Sequence, residues 1–420
     1  MGEANKKLKV ALVHDHLSTF GGAERVLYAL HNMFPSAPIY TLFYNNDVVN
    51  AYFPDAKVKA SFLQKFPKLL RRRFKWIAPL AISAVENFNF SEYDIVISSS
   101  AFFAKGVVVG HDTIHISYCH TPTRYLWENN KKEEKLFKRI VDMIGTHLLR
   151  IWDFSSAGRV DYFVANSKYT KKRIEKYYKK DAFVVYPPVD IDFIKNGELT
   201  SSLNKKAILD KLPQKFFLMV TQLQEYKQVK LVTETFSKLK YPLVIIGDGP
   251  LKKELKKIAP QNVFILGKQP DDIVKYCYKN CYAYIHAAED DFGISPVEAM
   301  QFGKPVLAYA AGGALETMVG SVNGEFFGAH HPAILADGLR RLMLNYPDYN
   351  DVVIKNLGNR FKKERFQEEF RRILKRILVH ELNGESKKLE IFNSLQVQQP
   401  LFDQFVIDSN SSLHEAHNKS

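Results

Sequence analysis

One stretch, Tyr284 to Thr317, limits the folds open to this chain: YIHAAEDDFGISPVEAMQFGKPVLAYAAGGALET. A short apolar run, Tyr282 to Ala287, predicts a buried strand. Three acids follow, Glu289, Asp290 and Asp291, then a turn at Phe292-Gly293-Ile294. Pro296 fits the first turn of a helix, where a missing N–H costs nothing. Gly303-Lys304-Pro305 ends that helix, and Val306 to Tyr309 predicts the next buried strand. A strand passing through a glycine turn into a helix start is an anion site, because free N–H groups and the helix dipole both face outward there.

The carboxylates suit a different partner. Asp290 and Glu298 are eight positions apart (298 minus 290), one at the turn and one on the helix. Carboxylates accept hydrogen bonds from vicinal hydroxyls. The combination fits a ligand with a central diphosphate and sugar hydroxyls at both ends, a nucleotide sugar. An acidic helix start that merely complements the dipole is the competing reading.

Elsewhere the chain repeats the strand, glycine loop, helix order. Lys9 to His14 predicts a strand, Gly21-Gly22 a tight loop, and Ala23 to Phe34 a helix. Tyr93 to Ser98 predicts another strand, with Ser99 and Ser100 at its end and a short strand at Val107–Val109 beyond. HISYCHTPTRYLWE, residues 115–128, predicts a strand entering a turn at His120-Thr121-Pro122. His120 there could donate a hydrogen bond to a sugar hydroxyl or to a leaving group, or be structural, as lone histidines often are. Phe216 to Val220 opens a second such series. Strands alternating with helices in both halves predict two doubly wound parallel sheets, and 420 residues suffice for two domains.

These motifs resemble the retaining glycosyltransferases of family GT4, which have the GT-B fold. The resemblance spans roughly residues 8 to 380, and EDDFGISPVEAM with GGALET is similar to the bacterial GDP-mannose-dependent mannosyltransferase branch. It implies two Rossmann-like domains facing across a cleft, with a C-terminal helix crossing back to the first. The expected bounds are 1–195 for the acceptor-side domain, 196–360 for the nucleotide-sugar domain, 361–384 for the crossover helix and 385–420 for a polar tail. Residues 188–212 are the expected linker, and Asp190-x-Asp192 within it is not read as a metal motif.

The resemblance also implies roles. Asp290 takes the place of the family glutamate that meets the donor sugar, shorter by one carbon–carbon bond of about 1.5 Å, with Glu289 beside it in support. Glu298 falls on the acid that meets the ribose, and His120 on the donor-sugar histidine. Gly21 and Gly22 let the backbone approach the diphosphate, as do Phe292, Gly293 and Ile294 at the helix start. Lys227 falls on the family lysine facing the diphosphate. The neighbouring arginine position holds Gln222, the main departure from the family pattern. The catalytic set is therefore His120, Asp290 and Lys227. No cofactor or essential metal is implied. Rival readings keep the fold but use a UDP-sugar donor, or bind a nucleotide sugar without turnover.

Charge bears on partners. The net charge of +14 favours polyanions. No RNA-binding motif accompanies it, so nucleic acid is not expected. In residues 62–80, six basic residues, Lys65, Lys68, Arg71, Arg72, Arg73 and Lys75, alternate with Phe62, Phe66, Leu69, Leu70, Phe74, Trp76 and Ile77. That pattern suits an anionic lipid surface, or a solvated helix with a core-facing stripe. Cys119, Cys277 and Cys281 form no CxxC pair. No run reaches the roughly 18 apolar residues of a membrane span. The expectation is a cytoplasmic protein, peripheral on the inner face of the membrane, acting on a glycan or polyprenyl-diphosphate-linked acceptor.

Overall fold

The computed structural model describes residues 8–67, 71, 78–128, 136–190, 209–210 and 212–381, with backbone only for 136–142. Most of the linker, residues 68–70 and 72–77 of the basic segment, and the 385–420 tail lie outside the described residues.

Two parallel sheets form the frame. The first has seven strands: β1 (Val10–His14), β2 (Ile39–Thr41), β3 (Val58–Ala60), β4 (Ile95–Ser100), β5 (Ile114–Cys119), β6 (Tyr162–Ala165) and β7 (Ala182–Val184). Their order is β3-β2-β1-β4-β5-β6-β7. The second has β8 (Phe217–Val220), β9 (Leu243–Ile246), β10 (Val263–Gly267), β11 (Ala283–His286), β12 (Val306–Tyr309) and β13 (Gly324–Phe327). Its order is β10-β9-β8-β11-β12-β13. The central strands are buried along their whole length, as VALVH and AYIH show. Helices on both faces explain why these strands read as continuous apolar runs rather than alternating ones. Val107–Val109, expected as a strand, is irregular chain after a turn of 3-10 helix at Ala104–Gly106.

Each sheet reverses its strand order once, and ligand sites in such sheets form in the crevice beyond the strand ends at that reversal. In the first sheet it lies between β1 and β4, in register so that His14 stands beside Ser99. In the second it lies between β8 and β11, which end at Val220 and His286.

The helix Lys363–Glu381 belongs to the first core, not the second. Its Phe366, Phe370, Leu374, Ile377 and Leu378 are buried against Val26, Leu27 and Leu30 of the helix Gly22–Met33 and against β1. The spacing places all five on one face, and burying each contributes about 1.5–3 kcal/mol. Where the chain passes between domains, Val189 packs with Phe292, Val297 and Phe361. The Val189 N–H donates to the Phe361 carbonyl at 2.7 Å, and Gln301 Nε2 donates to the Val189 carbonyl at 2.7 Å.

Candidate active site

At the first reversal the loop after β4 is held by one carboxylate. Asp15 accepts from the N–H groups of Ala101, Phe102, Phe103 and Ala104 at 2.7, 3.0, 2.7 and 2.7 Å. Beside it a polar chain runs inward from the cleft. His120 Nε2 lies 2.8 Å from Ser99 Oγ, and Ser99 Oγ lies 3.1 Å from His14 Nδ1. His14 Nε2 faces Glu24 Oε1 at 3.5 Å, and the other oxygen of Glu24 accepts from the Gly21 N–H at 2.8 Å. Burial above all pulls the His120 imidazole down to about 4. It is neutral at physiological pH.

The turn after His120 is set by Asp153, on the helix Leu136–Gly158. Its buried carboxylate accepts from Lys105 Nζ at 2.5 Å, Trp127 Nε1 at 2.7 Å, Thr123 Oγ1 at 2.9 Å and the Tyr178 hydroxyl at 2.9 Å. Four donors on one carboxylate offset the cost of burying it. Trp127 is thereby structural.

At the second reversal Lys227 and Asp290 meet. Lys227 Nζ donates to both Asp290 oxygens, at 2.6 and 2.7 Å. Burial pushes the Asp290 carboxyl up, but the net shift is downward, with the Lys227 ammonium first among the opposing influences. For Lys227, burial pulls down and Asp290 outweighs it, so the ammonium is held above its usual range. The helix Ile294–Gln301 starts four residues after Asp290. Its N-cap, Gly293, has φ +85 and provides no side-chain cap, so the first N–H groups have none. His286 Nε2 is buried nearby without a hydrogen bond, and burial pulls that imidazole down to about 4. The GGALET loop presses on the same turn: Gly313 N–H donates to the Asp290 carbonyl at 2.9 Å. A Cβ on Gly312 (φ +62) would stand 2.3 Å from that oxygen, so only glycine fits.

Every other acid of the second domain's motif reaches the first domain. Glu298 is buried, accepting from Arg25 Nη1 at 2.6 Å and from the Tyr278 hydroxyl at 2.7 Å. Asp291 accepts from Arg124 Nη2 at 2.8 Å and from Arg173 Nη1. Glu289 accepts from the Tyr169 hydroxyl at 2.8 Å. Glu316, in GGALET, accepts from the Lys168 and Tyr169 N–H groups, both at 2.8 Å. It thereby serves the start of the helix Lys168–Tyr178, which Ser167 caps through the Thr170 N–H at 2.9 Å. A carboxylate at a helix N-terminus is favourable by charge as well as by hydrogen bonding.

The expected site residues do not all gather at one point. His120 stands at one strand reversal, while Lys227, Asp290 and Gly293 gather at the other. Gly21, Gly22 and Ile294 line the approach between the domains, where a Cβ on Gly22 would come within 2.6 Å of Ile294 Cδ1. Glu298, Glu289 and Phe292 are engaged at the domain junction, with Phe292 buried against Val189 and Phe361. Gln222 is exposed and its Oε1 accepts from Gln224 Nε2 at 2.9 Å. Arg25, Asp291, Arg173, Glu316 and Ser99 carry much of the geometry without having been singled out from the sequence. Arg25 follows the Gly21-Gly22 loop, Asp291 lies within EDDFG and Glu316 within GGALET, but no spacing rule gives them a role.

Comparison with known proteins agrees on the class. Residues 20–193 match the family described as Glycosyltransferase Family 4, and residues 201–358 match Glycosyl transferases group 1. The alpha-1,3/1,6-mannosyltransferase ALG2 of Dictyostelium discoideum is 24% identical over 382 residues, 77% of this chain and 87% of that protein. The D-rhamnosyltransferase WbpZ of Pseudomonas aeruginosa is 28% identical over 162 residues, 37% of this chain and 42% of that protein. Among solved structures, Anabaena Alr3699/HepE in complex with UDP-glucose superposes with TM-score 0.63 at 18% identity, covering 87% of this chain and 99% of that one. Sucrose-phosphate synthase from Thermosynechococcus elongatus gives 0.66 at 12% identity, covering 89% and 100%. At these identities the structures speak for the fold alone.

Proposed function

The chain belongs to glycosyltransferase family 4 and has the GT-B fold, and on that premise we propose that it moves mannose from GDP-mannose, with retention of anomeric configuration, to a lipid-linked or other membrane-presented glycan in surface polysaccharide assembly. The observation that carries the reading is the meeting of Lys227, Asp290 and the start of the helix Ile294–Gln301 at one strand reversal, with His120 at the other. An ammonium and free helix N–H groups suit a diphosphate. A carboxylate and an imidazole suit sugar hydroxyls. Mannose as the sugar is supported by the EDDFGISPVEAM motif and by the mannosyltransferase relatives.

Catalysis in this reading is positioning plus stabilisation of the charge that grows on the departing diphosphate. Lys227 and the helix start meet that charge, so no metal is given a role. Donor entry exchanges partners: Lys227 turns from Asp290 to the diphosphate, and Glu298 gives up Arg25 for the ribose. Gln222 donates to the diphosphate as an uncharged amide. The same residue is what favours the alternative of a nucleotide-sugar-binding protein without turnover.

The acceptor side is assigned to an anionic membrane face, the cytoplasmic leaflet. Among the described residues no helix is long and apolar enough to cross a membrane. The helix Leu136–Gly158 exposes Met143, Ile144, Leu148, Ile151 and Phe154. At 3.6 residues per turn these lie within roughly 140° of one another, an apolar face suited to lying in an interface. The helix packs on the same core cluster as Leu63, Phe66 and Ala78, which bracket the basic segment.

Donor turnover with GDP-mannose, UDP-glucose and UDP-N-acetylglucosamine, with product stereochemistry read by NMR, tests the reading. An α-mannoside from GDP-mannose is expected. A β-linked product, or turnover with UDP-sugars alone, overturns it.

A further inference from the structure

We propose that Ser99 is a positioning residue that sets the hydrogen-bond polarity of His120, under the control of Glu24 acting through His14. The four side chains form an unbroken series from the glycine loop to the cleft, with separations of 3.5, 3.1 and 2.8 Å from Glu24 to His120. The residues at its inner end are buried: His14, Ser99 and Glu24 are 3%, 0% and 7% exposed. Bulk water therefore does not compete for these bonds.

The direction of each bond follows from donor and acceptor chemistry. Burial pushes the Glu24 carboxyl up, but the net shift is downward, with the hydrogen bond from His14 first among the opposing influences. Glu24 is thus a carboxylate, able only to accept. One oxygen takes the Gly21 N–H, and the other requires a proton on His14 Nε2. A His14 ring bearing that single proton presents Nδ1 as a bare lone pair. The Ser99 hydroxyl has one proton and gives it to that lone pair. Its oxygen must accept from His120, so His120 carries its proton on Nε2. The remaining nitrogen, Nδ1, has no hydrogen-bond partner among the described residues. It is left as an acceptor.

This polarity reverses the donor role expected of His120. The imidazole accepts from a sugar hydroxyl through Nδ1 instead of donating to one. A hydroxyl that donates to His120 is held at a fixed angle, and its oxygen stays free for other donors. That sugar role rests on the proposed function; the polarity of the chain does not. The series also links the Gly21-Gly22 loop to the sugar-facing ring through a single side chain, Glu24.

The experiment reads the tautomer directly. Full-length protein labelled with 15N is examined by long-range 1H–15N correlation, with His120→Gln identifying the His120 signals. Wild type is expected to show Nε2 protonated and Nδ1 bare. In Ser99→Ala the ring loses its fixed proton and the two tautomers mix, while Ser99→Thr restores the single form. Glu24→Gln is the sharper variant. Its amide oxygen keeps the Gly21 N–H, and its NH2 donates to His14 Nε2. Every bond then reverses and His120 should carry its proton on Nδ1. Donor hydrolysis supplies a second readout: Ser99→Ala should lower kcat about tenfold with little change in KM, and Ser99→Thr should recover it. A wild-type ring protonated on Nδ1, or a tautomer unchanged in both Ser99→Ala and Glu24→Gln, overturns the proposal. Failure of GDP-mannose to react leaves the NMR readings intact and counts against the donor alone.

Discussion

Arg25 Nη1 lies 2.6 Å from Glu298 Oε1, joining the first helix of one domain to the signature helix of the other across 273 positions of sequence. In the proposed function Glu298 takes the donor ribose, and there the pair competes with substrate. Truncation at Arg25 should release the carboxylate, which keeps the Tyr278 hydroxyl. Arg25→Ala is expected to bind GDP about tenfold more tightly, equivalent to about 1.4 kcal/mol, and to show a larger radius of gyration without ligand. Isothermal titration calorimetry and small-angle scattering check this. Weaker GDP binding in the variant would mean that Arg25 belongs to the ligand and not to its competitor.

In the proposed function Lys227 carries the charge that an arginine at position 222 would otherwise share. Removing one strong transition-state donor costs roughly a hundredfold or more. Lys227→Ala should lower kcat/KM by about that factor, Gln222→Ala should cost clearly less, and Gln222→Arg should be neutral or faster. Steady-state donor turnover for the three variants decides. A wild type that binds GDP without turnover, while Gln222→Arg gains it, would establish the binding-protein alternative.

Three histidines are buried in the neutral form. Burial pulls His115 down to about 3, and His120 and His286 to about 4, from an unfolded value of 6.5. Between those values the unfolded chain binds protons that the folded chain does not, so stability rises with pH through that window. Stability should therefore fall as pH drops from about 6.5 toward 4 and 3. The three contribute no slope above 6.5. His115→Gln should flatten the acid limb in urea melts run at successive pH values. An unchanged slope would show that His115 is protonated in the folded state.

Binding to anionic liposomes should fall as salt rises, since each basic residue near the surface contributes on the order of 1 kcal/mol and is screened. Neutralising Arg71, Arg72 and Arg73 should remove most of it. Met143→Ser with Leu148→Ser and Ile151→Ser should weaken what persists at high salt, because that part depends on apolar burial. Co-sedimentation with vesicles of stated phosphatidylserine content reads both. Indifference to all six changes would return the segment and the helix face to ordinary solvated surface.

What the sequence made legible was local. Runs such as VALVH and YIHAA announce buried parallel strands because both faces are covered, and the glycine turns before Ala23 and Ile294 announce helix starts. The three-residue strands β2 and β3 are too short to stand out from loop. Val107–Val109 has the composition of a strand, but it follows a tight turn and has no partner in the described sheets. The pairs between domains were out of reach for another reason. Arg124 and Asp291 are 167 positions apart, Lys168 and Glu316 148. No spacing rule links residues that only tertiary structure brings together. Ser99 is hidden by its company: Ser98 turns to His115 at 2.9 Å, Ser100 accepts from the Lys105 N–H at 3.1 Å, and only the middle serine reaches two site histidines.

The helix Lys363–Glu381 also sets an order of assembly. Phe366, Phe370 and Leu374 fill the first core beside Leu12 and Leu30, and Gln367 Nε2 donates to the Ala29 carbonyl at 3.1 Å. During synthesis the second sheet is complete once β13 has left the ribosome. The first, though made earlier, must wait with an open apolar face until its last helix emerges. Domains commonly complete folding from the N-terminus onward; here the domain begun first is the one finished last, and a chaperone that shields exposed apolar surface has its longest engagement with the N-terminal half.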